Sequence, residues 1–248
     1  MAALLTGPAQ ALSQLAFLAG APPEALARLA SHARWMDVAP EMVVMDFEDT
    51  TTEVFFVLQG AVRVLVQTAD GTHTQILGEF RAGDLAGEMS AIDDAPRSAR
   101  VEALVRTRLC LVPAAAFLDL VFVAPPVALR LLRLLTARIR QQNRRLLEHT
   151  ALPIRLRLAA ELLRLSRARP DGTRSLSPPP FQEELGDRIG ARRESVSREL
   201  AVLTRAGLLL RTRAAYVLTD PAALQRIVDA GLSSPTEPTL HHVLSAFR

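Results

Sequence analysis

Residues 190–200, GARRESVSREL, place Arg193, Glu194 and Arg198 at positions i, i+1 and i+5. On a helix entered at Arg193 these three side chains share one polar face near the N-terminal end. Val196, Leu200 and Leu203 fall at i, i+4 and i+7 and make the opposite, apolar face. A helix divided in this way fits the major groove of DNA. Arginine donates two hydrogen bonds to guanine O6 and N7, and glutamate accepts one from cytosine N4. The competing reading is a solvated surface helix that carries an Arg/Glu pair.

The flanking residues favour the first reading. Residues 181–189 read as a preceding helix and 190–192 as the turn. Gly186 lets the two helices approach where they cross, and Gly190 supplies the turn, which is the grammar of a helix-turn-helix. Residues 208–218, with a turn around 212–214, read as a β-hairpin wing, and Thr219-Asp220-Pro221 starts a short last helix. Residues 231–248 are left as a tail, with His241 and His242 as surface histidines. Upstream, an amphipathic helix over 154–168 turns Leu156, Ala159, Leu163 and Ser166 inward.

Farther back, Ala128, Leu132, Leu135, Ile139, Gln142, Leu146 and His149 are spaced alternately by four and three. That heptad seam predicts a helix over 127–149 that pairs with a second copy of itself. Gln142 interrupts the apolar seam, either to fix register or to contact a ligand held at the dimer interface. Ahead of this helix lie short β-rich runs at 42–47, 54–58, 61–67, 72–77 and 101–111, separated by turn signals at 48–49, 59–60, 69–71, 81–84 and 93–96. They predict an antiparallel barrel or jelly roll of about eight strands. Residues 9–34 read as short helices packed on it, from the spacing of Leu12, Leu15 and Leu18 and of Leu26, Leu29 and Ala30.

One segment of this front half carries chemistry. In GDLAGEMSAIDDAPRSARV, residues 83–101, Gly87, the amides of a helix start, Arg97 and Ser98 can converge on one anionic oxygen cluster. Glu88 is unfavourable beside a phosphate unless it has partners of its own, such as sugar hydroxyls or the arginine. A phosphate joined to a ribose meets both needs. The alternative is a buried Glu88–Arg97 ion pair that staples two strands.

Composition limits the rest. The 248 residues suffice for two domains. No apolar run reaches the roughly 18 residues that span a bilayer, and the N-terminus lacks the basic start of a signal peptide. A cytoplasmic protein without a membrane partner is expected. The single Cys110 excludes an internal disulfide or a cysteine cluster, and its alternating run VRTRLCLVP reads as a strand with a buried thiol. All 29 basic residues are arginine. Residues 1–150 hold 14 of them against 16 carboxylates, while residues 151–248 hold 15 against 10, so a front of −2 precedes a back of +5. The basic half is the one expected to meet a polyanion. No nucleophile–base pair, metal cluster or glycine-rich nucleotide loop occurs outside 83–101, so no catalytic or metal-binding residue is assigned and an enzyme is not expected. His73, in a hairpin turn, reads as exposed rather than as a haem ligand.

Taken together, GEMSAIDDAPRSA (87–99), QEELGDRIGARRESVSREL (182–200) and the heptad helix between them resemble the CRP/FNR family of bacterial transcription regulators. The resemblance covers roughly residues 10–228. It implies an α+β fold: an N-terminal antiparallel β jelly roll that binds cyclic nucleotide (1–124), a long dimerisation helix (125–150), a C-terminal winged helix-turn-helix (151–230) and a tail (231–248). It implies a homodimer that binds double-stranded DNA at a TGTGA-like palindromic operator, is gated by cyclic AMP (cAMP) or cyclic GMP (cGMP) with no metal, and works with RNA polymerase. A different effector, or none, is the alternative, and beyond it a cyclic-nucleotide-binding module without DNA function.

By the same resemblance, the ligand contacts are Gly87, Glu88, Met89, Ser90, Arg97 and Ser98. Glu88 would take the ribose 2′-OH, and Arg97 and Ser98 would hold the cyclic phosphate together with the Gly87 and Glu88 amides. Gln142 or Asn143 would reach the purine across the dimer interface. The DNA contacts are Arg192, Arg193, Glu194, Ser197 and Arg198. Five positions depart from the family pattern. Ala86 replaces an aromatic, and Gln142-Asn143 replace small hydroxyl residues. Pro153 stands at the hinge where an aspartate cap is common, and Arg192 stands where Ser or Thr caps the recognition helix. Losing that cap costs about 1 kcal/mol, while Arg192 adds a phosphate contact. The lack of an N-terminal cysteine cluster argues against the oxygen-sensing branch.

Overall fold

The computed structural model describes residues 8–68 and 73–233. The expected turn at 69–71 and the residues beyond 233, with His241 and His242, lie outside the described residues. The chain divides into two compact units, Met1–Arg138 and Ile139–Arg248.

The first unit is built on two four-stranded antiparallel sheets. Strands β1 (Arg34–Val38), β8 (Thr107–Val112), β3 (Val54–Gln59) and β6 (Leu85–Ala86) lie side by side in that order, and β2 (Val43–Met45), β7 (Arg100–Ala103), β4 (Ala61–Gln67) and β5 (Thr74–Arg81) form the second sheet. Val38, Phe55, Val57, Leu109 and Leu111 of the first sheet pack against Met45, Val62, Val101 and Ala103 of the second. The alternate residues Val54, Phe56, Cys110 and Val112 point the other way, into Leu12, Leu29, Phe117 and Leu120 of the covering helices. Those helices are α1 (Pro8–Ser13), α2 (Pro23–His32) and α4 (Ala114–Val123), while α3 (Glu88–Asp93) follows β6. Because both faces of β3 are covered, its run Val54-Phe55-Phe56-Val57 is apolar throughout rather than alternating. Phe17, Phe56 and Phe117 meet with ring centroids 6.0–6.4 Å apart. Phe56 and Phe117, both fully buried, contribute about 2–3 kcal/mol each by burial. Burial pushes the Cys110 thiol up to about 11, as befits an inert core thiol.

Some details differ from the sequence expectation. The run 101–111 is two strands, β7 and β8, joined by a bend over residues 104–106 that contains neither glycine nor proline and so gives no turn signal. Strand β1 begins before Val38, as the partner of β8. Helix α4 is apolar on nearly every side, so its period does not show in the sequence, and it buries Phe117, Leu120 and Val121.

Helix α5 (Pro125–Ala151) starts on the two prolines, which suit the first helical turn, where an N–H lacks a partner in any case. Val127 and Leu131 are buried under the first unit's helices. Leu132, Ile139 and Leu146, seven residues apart, are 62%, 61% and 65% exposed.

The second unit contains α6 (Ile154–Leu165), β9 (Arg167–Ala168), β10 (Arg174–Leu176), α7 (Gln182–Ile189), α8 (Arg193–Arg205), β11 (Leu209–Arg211), β12 (Tyr216–Leu218) and α9 (Pro221–Ser233). Its core joins Leu156, Leu162, Leu185, Val196, Leu200, Leu218 and Ile227. Helix α6 ends three residues before 168 because Arg167 and Ala168 pair with β10 instead. The Asp220 carboxylate accepts the Ala223 N–H at 2.8 Å and caps α9. Helices α5, α6 and α7 also share a buried charge cluster that the sequence does not announce. Arg164 donates to Glu148 at 2.6 Å and pairs with Glu161, and Arg188 reaches Glu161 at 3.6 Å and Glu184 at 2.9 Å.

Candidate ligand pocket and nucleic-acid interface

Gly87 joins β6 to α3 in the left-handed region, at φ +84°. A Cβ there would stand 2.7 Å from both Arg97 Nη1 and the Glu53 carbonyl, so the close approach of backbone to guanidinium requires glycine. Arg97 is 2% exposed. It donates from Nε to Thr51 Oγ1 at 3.1 Å, from Nη1 to the Gly87 carbonyl at 3.0 Å and from Nη2 to the Glu53 carbonyl at 2.8 Å. Its guanidinium lies 5.5 Å from the centre of the Phe55 ring. Burial lowers its pKa, and the charges of Glu53, Asp49 and Glu88 work against that shift. A guanidinium remains charged in such a setting, so this is a cation held inside the sandwich mainly by neutral oxygens.

Glu88 is 1% exposed, and its partner is not Arg97. Arg138 of α5 pairs with Glu88, donates to the Leu85 carbonyl at 2.7 Å and lies over the Phe80 ring at 4.4 Å. The expected alternative of a Glu88–Arg97 staple is therefore corrected: the Arg97 fork is turned onto carbonyls, and Glu88 finds its cation on the long helix. Ser98 is exposed, with its hydroxyl 3.6 Å from the Met89 sulfur, while Ser90 is buried and its carbonyl accepts the Asp94 N–H at 3.2 Å. Gly87, Glu88, Met89, Ser90, Arg97 and Ser98 thus form one neighbourhood. Gln142 and Asn143 are exposed on α5 in the second unit. Sequence reasoning misses Arg138, Thr51 and Glu53. The available signals were an arginine off the heptad seam and a carboxylate just ahead of the most apolar strand.

In the second unit, Gly186 faces the turn, and a Cβ there would run into the Ala191 carbonyl. Gly190 closes α7 at φ +62°. Arg192 precedes α8 in an extended conformation and makes no side-chain cap, as its type predicts. Val196 and Leu200 are fully buried, while Arg193, Glu194, Ser197 and Arg198 line one surface groove together with Gln182 of α7. Arg198 donates to Ser195 Oγ at 3.2 Å. The hairpin β11–β12 is tied by Thr212, whose hydroxyl accepts the Ala215 N–H at 2.9 Å, and it carries exposed Arg211 and Arg213, which the sequence reading does not assign. His149, near the C-terminal end of α5, packs under Gly190 and lies 3.5 Å from Arg157 Nη1. Arg157 in turn donates to the Ile189 carbonyl at 2.8 Å. Burial first, then Arg157 and Arg145, lower the His149 pKa against the smaller pull of Glu148 and Glu161.

Comparison with known proteins gives two family matches: a cyclic nucleotide-binding domain over residues 36–122 and a Crp-like helix-turn-helix domain over residues 156–227. A CRP-like cAMP-activated global transcriptional regulator of Mycobacterium tuberculosis is 23% identical over 218 residues, covering 87% of this chain and 97% of its own. The cAMP-activated global transcriptional regulator Vfr of Pseudomonas aeruginosa is 26% identical over 193 residues, covering 74% and 88%. Among solved structures, the c-di-GMP responsive global regulator CLP of Xanthomonas campestris shares the fold at a TM-score of 0.67 and 22% identity, over 79% of this chain and 99% of its own.

Proposed function

We propose that this chain, which carries a cyclic nucleotide-binding domain and a Crp-like helix-turn-helix domain, is a transcription regulator of the CRP/FNR type and not an enzyme, acting as a homodimer whose DNA binding is gated by cAMP or cGMP. The observation that carries this reading is the buried Arg97 cation against the glycine-only position 87, with the buried carboxylate of Glu88 beside it. Arg97, Ser98 and the Gly87 and Glu88 amides hold the cyclic phosphate, with Met89 and Ser90 shaping the wall. Glu88 accepts the ribose 2′-OH, and Arg138 pairs with that carboxylate. Gln142 or Asn143 meets the purine across the dimer interface. Both amides donate and accept, which suits adenine or guanine.

In the same reading, residues 1–124 are the ligand domain, 125–150 the dimerisation helix, 151–230 the DNA-binding domain and 231–248 a tail. The exposed heptad positions Leu132, Ile139 and Leu146 support pairing of two such helices, because an apolar stripe of that length is costly in water. Arg193, Glu194 and Arg198 read base edges of a TGTGA-like half-site, while Arg192 and Ser197 hold phosphates. Ligand binding repositions the long helices, and with them two recognition helices about one DNA turn apart. The regulator works in the cytoplasm, alongside RNA polymerase.

A second reading, another effector on the same scaffold, is favoured by one observation: every recorded hydrogen bond of Arg97 already goes to the chain's own oxygens. Calorimetric titration separates the two. The proposal expects saturable heat with cAMP or cGMP and its loss in Arg97→Gln; no heat with either nucleotide contradicts it.

A further inference from the structure

A cavity of about 490 Å³ opens in the second unit, on the side of α6 that faces the end of α5, β10 and the start of α9. That volume is in the range that takes a small organic ligand. Three of its lining residues are arginines, Arg144 from α5, Arg164 from α6 and Arg174 from β10, and one is a carboxylate, Glu148. The wall is therefore net positive by two charges. Glu148 is already taken up: Arg164 grips both of its oxygens, at 2.6 and 2.9 Å, and Arg144 Nε reaches it at 3.3 Å. Arg174 spends Nε on Ser166 Oγ at 2.8 Å and Nη2 on backbone carbonyls. Among the described residues, neither Nη of Arg144 nor Nη1 of Arg174 has a hydrogen-bond partner, which leaves them for whatever enters. The rest of the lining is mostly apolar, Ala160, Leu163, Pro221, Ala222 and Val228, with Gln225 among them.

We infer that this cavity is a second ligand site, for a small anion that joins a phosphate or carboxylate to a compact apolar body. Charge and shape agree on that class. Guanidiniums from separate elements favour a planar or tetrahedral oxyanion, and the aliphatic wall favours a body that a bare ion lacks. The site owes nothing to Arg97 or Glu88, so it stands whether or not the first unit binds cyclic nucleotide. Its walls come from the C-terminal end of α5 and from the core that supports α8. An occupant bridging them therefore stabilises that arrangement to the extent that it binds it selectively.

Phenyl phosphate is a suitable probe of the full-length chain, with inorganic phosphate and neutral phenol beside it, followed by calorimetry. Saturable binding of phenyl phosphate at one site per chain is expected, with weaker binding of inorganic phosphate and none of phenol. Arg144→Gln, at a side chain 57% exposed that the fold does not need, should weaken it about tenfold. Ala222→Phe should block it by filling the cavity, while Arg97→Gln leaves it unchanged. No saturation overturns the inference. So does binding that survives Arg144→Gln and Ala222→Phe but disappears in Arg97→Gln, which would place the anion in the first unit. Loss of DNA affinity in Arg144→Gln without any phenyl phosphate binding would make the cluster a DNA-backbone contact and also overturn it.

Discussion

Arg97 and His149 are cases in which burial decides what a charge does. Arg97 holds three oxygens from two other segments, so Arg97→Gln leaves buried carbonyls without donors. We expect it to lower unfolding stability by about 3 kcal/mol, read from urea denaturation. Arg97→Lys should recover part of that stability but not nucleotide binding, since a lysine cannot present a fork. His149 is kept neutral by burial and by two arginines, so its folded pKa lies below its unfolded value of about 6.5. The unfolded chain then takes up the proton first. Stability should be full above about pH 6.5, fall as pH drops from there towards the folded pKa, and level off below it. Urea melts at a series of pH values should show that slope in the native chain and a shallower one in His149→Gln. An equal slope in both would show that other groups cause it. Gly87, Glu88 and Arg97 were legible in the sequence because they lie within eleven consecutive residues. Arg138, fifty residues from Glu88, was not, because local spacing does not report which distant cation a buried carboxylate meets.

Among the elements, α5 and α8 carry the most specific expectations. Helix α5 buries Val127 and Leu131 in the core of the first unit and leaves Leu132, Ile139 and Leu146 in solvent. Ile139→Asp should therefore leave the fold intact but shift the chain to a monomer in sedimentation, whereas an unchanged mass would remove the seam from the interface. On α8, Arg193→Ala should cost about 1–3 kcal/mol of operator affinity and relax the choice at one base pair, as measured by binding to a panel of single-base variants. Affinity lost equally on all sequences would instead make Arg193 a phosphate contact. The periodic elements were readable: α8 divides its faces as its spacing predicts, and β4 runs over the expected residues. Helix α4 and the division of β7 from β8 were not, because a nearly all-apolar helix lacks a contrasting face and a bend without glycine or proline lacks a marker. The charge cluster of Glu148, Glu161, Arg164 and Arg188 also escaped, since its members lie on three helices and each alone reads as a solvated surface residue.

At the scale of the whole molecule, the chain joins a β sandwich that encloses a cation to a basic winged helix, and one continuous helix runs from the first to the second. The order of those parts was visible in the sequence through two short segments and a heptad, which is why the architecture was more legible than any single contact. The central claim is that occupation of the Arg97 pocket controls what α8 does on DNA. Its most direct test is selection of operator sequences from random DNA by the full-length protein, alone and with cAMP or cGMP, followed by affinity measurement on the selected site at fixed salt. The account predicts a palindrome with half-sites about one helical turn apart, bound tightly only with one of the two nucleotides and not at all selectively by Arg97→Gln. An operator selected with equal affinity in the presence and absence of both nucleotides would contradict it.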